Sequence, residues 1–263
     1  MATTADMPGG QRDAVNGEAA QKQGDEGFFR WIAIALAVVM VAGFSLQILA
    51  GRSSFDSPMR VHAHAVVFFG WIVIFLLQSL LATSGRIGLH RMLGWLSIGW
   101  MAAMMVTAWY VMVPKVQEGN APFFFQPLHF LIFDLLSVAC FIVLALVAIA
   151  FRKRTDWHRR LHLCAMALLT GPGWGRLLPV PLLIPYAFEA AFVMQFVFPA
   201  AGMIADWRRN GRVHAAWWWG TGFMVFSYVL TQAITYSPLG LAFYGWVTAG
   251  HPGAAVPPLA FPP

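Results

Sequence analysis

The sequence predicts an all-α, seven-span transmembrane helical bundle with a cytoplasmic N-terminus and a periplasmic C-terminus. Three observations predict it. Apolar residues make up 59% of the 263-residue chain and charged residues only 11%, against about a quarter charged in soluble domains. Seven long apolar runs lie at 31–50, 62–83, 92–114, 127–151, 161–177, 183–204 and 213–236, each near the roughly 20 residues that a spanning helix needs. With the N-terminus inside, 13 of the 17 Lys and Arg residues fall on the inner side, leaving only Arg52, Arg60, Lys115 and Arg176 outside. That asymmetry sets the orientation. It implies a bacterial inner membrane protein whose first partner is the lipid bilayer. It also explains the net charge of +6, so nucleic acid is not implied.

In chain order, residues 1–27 are polar and rich in Gly, Ala and Gln. They bury too little apolar surface to fold and are expected as a disordered cytoplasmic tail. Residues 28–236 form the bundle. Its fifth span is the weakest, because Gly171-Pro172-Gly173 interrupts it and Pro179 and Pro181 follow. Broken backbone at that depth survives only against protein or a wet cavity. Residues 237–263 carry no Lys, Arg, Asp or Glu and are rich in Pro and Gly. They are expected as an apolar periplasmic tail that skims the surface, with Phe243, Tyr244 and Trp246 at headgroup level.

Within the bundle, 60–114 and 127–177 look like two copies of one hairpin. His62 is followed 28 residues on by His90 in Leu89-His90-Arg91-Met92-Leu93, and His129 is followed 29 residues on by His158 in Trp157-His158-Arg159-Arg160-Leu161. Repeats in membrane bundles commonly carry a site at their interface.

Seven of the eight histidines sit at the mouths of apolar runs, in two layers. His62, His64 and His129 form the outer layer, and His90, His158, His162 and His214 the inner one. Imidazole is the commonest protein ligand for transition metals, and ionisable groups at a bilayer point first to function. Spans 2 and 4 begin with outer histidines and spans 3 and 5 with inner ones. Facing helices can therefore clamp one flat macrocycle near each surface between two imidazoles. About twenty residues separate the layers, roughly 30 Å of helix.

His62 and His64 lie about 200° apart on a helix, so only one faces the bundle. The deeper His64 is the preferred axial ligand, although an extended 60–64 would let both chelate one ion. His158 and His162, four residues apart, share a helical face. They suit a shared ion, or one ligand beside a proton carrier. The alternative for all of these is interfacial histidine facing headgroups.

Asp134 in span 4 and Glu189 in span 6 are the carboxylates inside apolar runs. Each is costly there unless paired or protonated. They are expected either to relay protons or hold a polar substrate near the outer centre, or to pair with Arg176 or a neighbouring helix. Gln78 and Gln195 are expected as interhelical hydrogen bonds. Cys140, Cys164, Met101 and Met104 are expected as core filling. Gly70, Gly94 and Gly99 would admit a macrocycle or another helix.

The alternation of histidines on spans 2 and 4 and on spans 3 and 5 resembles the ascorbate-type transmembrane di-haem b cytochromes. The run from Val61-His62-Ala63-His64-Ala65 to Gly85-Arg86 and Leu89-His90-Arg91-Met92-Leu93-Gly94 is also similar to a group of uncharacterised bacterial multi-pass membrane proteins. The likeness covers residues 60–165. It implies an outer haem held by His64 (or His62) with His129, and an inner haem held by His90 with His158 (or His162). The inner histidines lie at the extreme helix ends, and a seventh span is added, both departures from that family.

The leading expectation is thus a haem-b-binding electron-transfer protein that takes electrons from a quinol or another redox partner. A second is a membrane enzyme of hydroxylase or desaturase type with non-haem iron on His62, His64, His129 and Glu189. A third is a non-catalytic accessory subunit or carrier.

Overall fold

The computed structural model describes the backbone of residues 9–262 and the side chains of residues 24–262. Ten helices and no strand occur among the described residues. They are α1 (Gly9–Leu49), α2 (Met59–Thr83), α3 (Ile87–Gln117), α4 (Pro127–Ala150), α5 (Thr155–Leu168), α6 (Gly171–Leu177), α7 (Ala187–Met194), α8 (Val197–Asn210), α9 (Ala215–Thr235) and α10 (Pro238–Thr248).

Five segments are long and apolar enough to cross a membrane: Gly24–Leu49, Met59–Thr83, Ile87–Gln117, Pro127–Ala150 and Ala187–Asn210. The chain is a multi-pass helical membrane protein, and its outward faces suit lipid. Trp31, Val66, Val73, Trp95 and Val229 all stand exposed on helical surfaces.

The other two expected spans are helical but fall short of that standard. The fifth splits into α5 and α6 around Leu169 and Thr170. Its 14-residue first piece covers only about 21 Å, and it begins with the polar run Thr155-Asp156-Trp157-His158-Arg159-Arg160. The seventh, α9, has the length at 21 residues but carries Thr221, Ser227, Tyr228, Thr231 and Gln232. The sixth holds as two collinear pieces of sequence, α7 and α8, parted at Gln195 and Phe196.

Short links make antiparallel hairpins. Ser84-Gly85-Arg86 joins α2 to α3, and Phe151-Arg152-Lys153-Arg154 joins α4 to α5. These two hairpins are the tightest packed pairs in the bundle. The most enclosed span is α4, whose Leu128, Leu131, Phe141 and Ala145 are fully buried. Met101 and Met104 of α3 fill the core beside it. Cys140 and Cys164 are buried free thiols.

The broken fifth segment packs on α1. There Gly43 meets Gly173 backbone to backbone, and a Cβ at Gly43 would stand 2.5 Å from the Gly173 carbonyl oxygen. The space at Gly70 goes to Trp100 of the next helix, whose indole N–H donates to the Val67 carbonyl at 2.8 Å.

Helices run into both stretches expected as tails. Of the polar stretch 1–27, residues 1–8 lie outside the described residues, and α1 already runs from Gly9. Asp25 on it receives hydrogen bonds from Arg159 and Arg209, which neutralise its charge against the bundle. At the other end, α10 starts because the Ser237 hydroxyl accepts from the Gly240 N–H and Pro238 opens the first turn. Tyr244 is buried against the protein. The chain then folds over the outer ends of α3 and α4. Gln117 donates to the Val247 carbonyl, and Gln126 to the Leu259 carbonyl.

Candidate functional site

The inner ends of the two hairpins bring three histidines together. His90 lies in the first turn of α3, and its Nδ1–H donates to the Gln78 carbonyl of α2 at 3.2 Å. His158 lies in the first turn of α5, and its Nδ1–H donates to the Ala148 carbonyl of α4 at 2.7 Å. A carbonyl can only accept, so both rings carry the proton on Nδ1 and keep Nε2 as a free donor pair for a metal. The two rings meet with centroids 6.2 Å apart and planes at 88°. His162 stands one turn further in, 5.0 Å from His158 at 87°.

Two imidazoles on opposite sides of one metal, each at the bond length of about 2 Å, have centroids about 6 Å apart. The inner pair fits that spacing. α3 packs chiefly on α2 and α4, and α5 on α4 and α9, so the rings meet between two helices that are not principal neighbours. Among the described residues, no three His, Cys, Asp or Glu side chains are grouped to hold a metal ion by themselves.

The outer histidines are not brought together. His64 stacks on Phe68 at 4.1 Å, its Nδ1 is buried without a hydrogen-bond partner among the described residues, and Arg176 lies within electrostatic reach. His129 packs on Phe188 at 4.2 Å and near Tyr236 at 6.2 Å. No ring contact links His64 to His129 among the described residues, and His62 makes no hydrogen bond or ring contact there.

The two intramembrane carboxylates also part company. Asp134 lies within electrostatic reach of Arg176 and Lys115, and Arg176 covers the Phe44 ring of α1 at 4.0 Å. Glu189 instead accepts from Gln232 at 3.5 Å and lines a cavity with His129 and Tyr236. The expected interhelical bonds of Gln78 and Gln195 are not made by their side chains among the described residues. Gln195 is packed against Gly171 instead.

The fourth inner histidine has a structural task. His214 caps α9: its Nδ1 accepts from the Ala216 N–H at 3.1 Å, so its Nε2–H donates to Asp156 at 2.8 Å. Burial raises the Asp156 carboxyl, but the His214 hydrogen bond, with backbone donors, outweighs it and holds the group below the usual carboxylate range. Its stabilising effect is therefore full above the unfolded value near pH 4 and is lost as pH falls through the lower folded value. The side chain is half exposed, so the effect is small. Unfolding midpoints measured from pH 6 down to pH 3 should fall less steeply in Asp156→Asn than in the parent.

A buried ionic knot went unforeseen. Arg160 donates to both oxygens of Asp206, at 2.8 Å from Nε and 2.6 Å from Nη2. The Trp217 indole N–H donates to the same carboxylate at 2.8 Å. Both charged side chains are almost fully enclosed, at 3% and 2% exposure. Asp206 falls just beyond the apolar run 183–204, so nothing marked it as intramembrane. Its arginine lies 46 residues upstream. No family model, curated protein or solved structure matches the chain.

Proposed function

We propose that this chain is a seven-pass bacterial inner-membrane electron-transfer protein that holds a b-type haem near the cytoplasmic face, with His90 and His158 as axial ligands. The observation that carries the reading is the matched pair of imidazoles. Each is oriented by an Nδ1–H···O=C bond to its own hairpin, and their ring centroids stand 6.2 Å apart. A haem needs only two protein ligands, because the macrocycle supplies the other four nitrogens. When bound, that group supplies one-electron transfer. The carbonyls of Gln78 and Ala148 raise the basicity of the two imidazoles and fix their planes. His162 adds a third imidazole beside His158.

The outer centre implied by the family resemblance is not part of this reading, since His64 and His129 face different neighbours. Orientation with the N-terminus inside rests on the 13-of-17 bias of Lys and Arg.

The test is a reduced-minus-oxidised visible spectrum of the detergent-purified protein. Haem b bands are expected in the parent and in His162→Ala. They should be lost, by more than about tenfold in occupancy, in His90→Ala and in His158→Ala. A colourless parent protein overturns the proposal. The proximity of His162 to His158 favours a second reading, one transition-metal ion shared by those two imidazoles. Iron or zinc at one per chain without porphyrin, reduced by His162→Ala, would select it.

A further inference from the structure

At the opposite end of the bundle, the aromatic side chains of Phe124, Phe125, Tyr186, Phe188, Tyr236 and Phe261 enclose a cavity of about 200 Å³. Besides the tyrosines, three polar side chains line it, Glu189, His129 and Gln126, of which Gln126 already bonds the Leu259 carbonyl and the Tyr236 hydroxyl. His129 is 94% enclosed, from 6% exposure. Its Nε2 and the Glu189 Oε2 are both buried with no hydrogen-bond partner among the described residues. Glu189 belongs to no ion pair among those residues. A carboxylate oxygen accepts only, and in apolar surroundings it demands a donor and a compensating charge.

Tyr186 and Glu189 also belong to the wall of an adjoining groove of about 570 Å³, otherwise formed by apolar side chains such as Leu182, Leu183, Ile184 and Val193. Leu182 and Val193 are exposed, and Val193 lies on the apolar segment Ala187–Asn210, whose exposed face suits lipid. The first space is thus aromatic and acidic, and the second is an apolar groove that shares Tyr186 and Glu189 with it.

We infer that this space binds an amphiphile with a primary ammonium head and a single apolar tail, the head held by Glu189 and His129 and the tail lying in the groove. Three features select the head. Its charge complements an unpaired carboxylate. Its several N–H groups can satisfy Glu189 Oε2 and His129 Nε2 together. A ring of aromatic faces attracts a cation through its quadrupoles. The cavity has room for about six water-sized groups, enough for an aminoethyl head but not for a large sugar. A phosphate or carboxylate head would be repelled by Glu189. The inference goes beyond the haem reading and does not depend on it, because the two sites share no residue.

The test is equilibrium binding of radiolabelled dodecylamine to the full-length protein in nonionic-detergent micelles. Saturable binding at one per chain is expected. Dodecanol, with the tail but no charge, and methylamine, with the head but no tail, should each compete at least about tenfold more weakly. Dodecyltrimethylammonium keeps the charge without N–H donors and should compete about tenfold more weakly too. Glu189→Gln should weaken dodecylamine binding about tenfold or more. Val193→Trp, which narrows the groove at an exposed position, should weaken it similarly without touching the head site. Dodecanol competing as well as dodecylamine would reduce the site to a lipid groove and overturn the proposal. So would unchanged binding in Glu189→Gln, or a preference for a tailed hydroquinone over the amine.

Discussion

Asp206→Ala is expected to lower the stability of the folded protein by about 3–5 kcal/mol. The carboxylate is the sole acidic partner of Arg160 among the described ion pairs, and both are shut away from solvent. Removing it leaves a guanidinium with an uncompensated charge, holding only its bond to the Asp156 carbonyl at 2.9 Å. The Trp217 indole loses its acceptor at the same stroke, as does the His214 amide, which points at the same oxygen from 3.4 Å. Thermal unfolding in detergent, followed by circular dichroism, is the measurement. The double replacement Arg160→Met with Asp206→Leu should recover most of the loss, because it removes the stranded charge and its desolvation together. If Asp206→Ala unfolds at the parent temperature, the knot at the inner end is not what joins α5 to α8 and α9.

Gly202→Ala is expected to be nearly as damaging, by about 1–3 kcal/mol or more. A Cβ built there would stand 2.2 Å from two atoms of the Trp217 ring, a separation that no packing tolerates. The ring has nowhere to go. It is fully buried, tied to Asp206 through its N–H, and stacked parallel to Phe29 at 6.4 Å. Trp217→Phe should relieve the clash in part, so the pair of substitutions should cost less than the sum of the singles. Strict additivity in that double-mutant cycle would contradict the contact. The same unfolding assay reads it.

How much of this was legible beforehand divides by the kind of signal. Apolar runs foretell where helices lie, and α2, α3 and α4 match theirs within a few residues because nothing but lipid and neighbouring helices competes for them. That His90 and His158 come close was legible from alternation alone, since each starts the second helix of a hairpin. His64 and His129 obey the same alternation, yet the structure gives them separate neighbours. A helix start fixes depth but not rotation, and Phe68 and Phe188 take the two rings instead.

The C-terminal helix was hidden by composition, because Pro and Gly outweighed its local signs. Ser237 followed by Pro238 is an N-cap with proline at the first helical position, and that signal was available. The Arg160–Asp206 pair left no trace in spacing. Long-range ion pairs are made by tertiary proximity, and one sequence contains no record of which charge meets which.

The straps on His90 and His158 have a consequence for assembly. Each imidazole is secured by a carbonyl of its own hairpin, so each half of the proposed centre can be complete as soon as its two rods have entered the bilayer. Nothing needs to reorient afterwards. The imidazole pair itself comes into being only at the docking of one preformed hairpin against the other. Its spectrum would then report on late assembly rather than on insertion, and a chain cut in the 118–126 loop between the hairpins should still rebuild it from two co-expressed pieces.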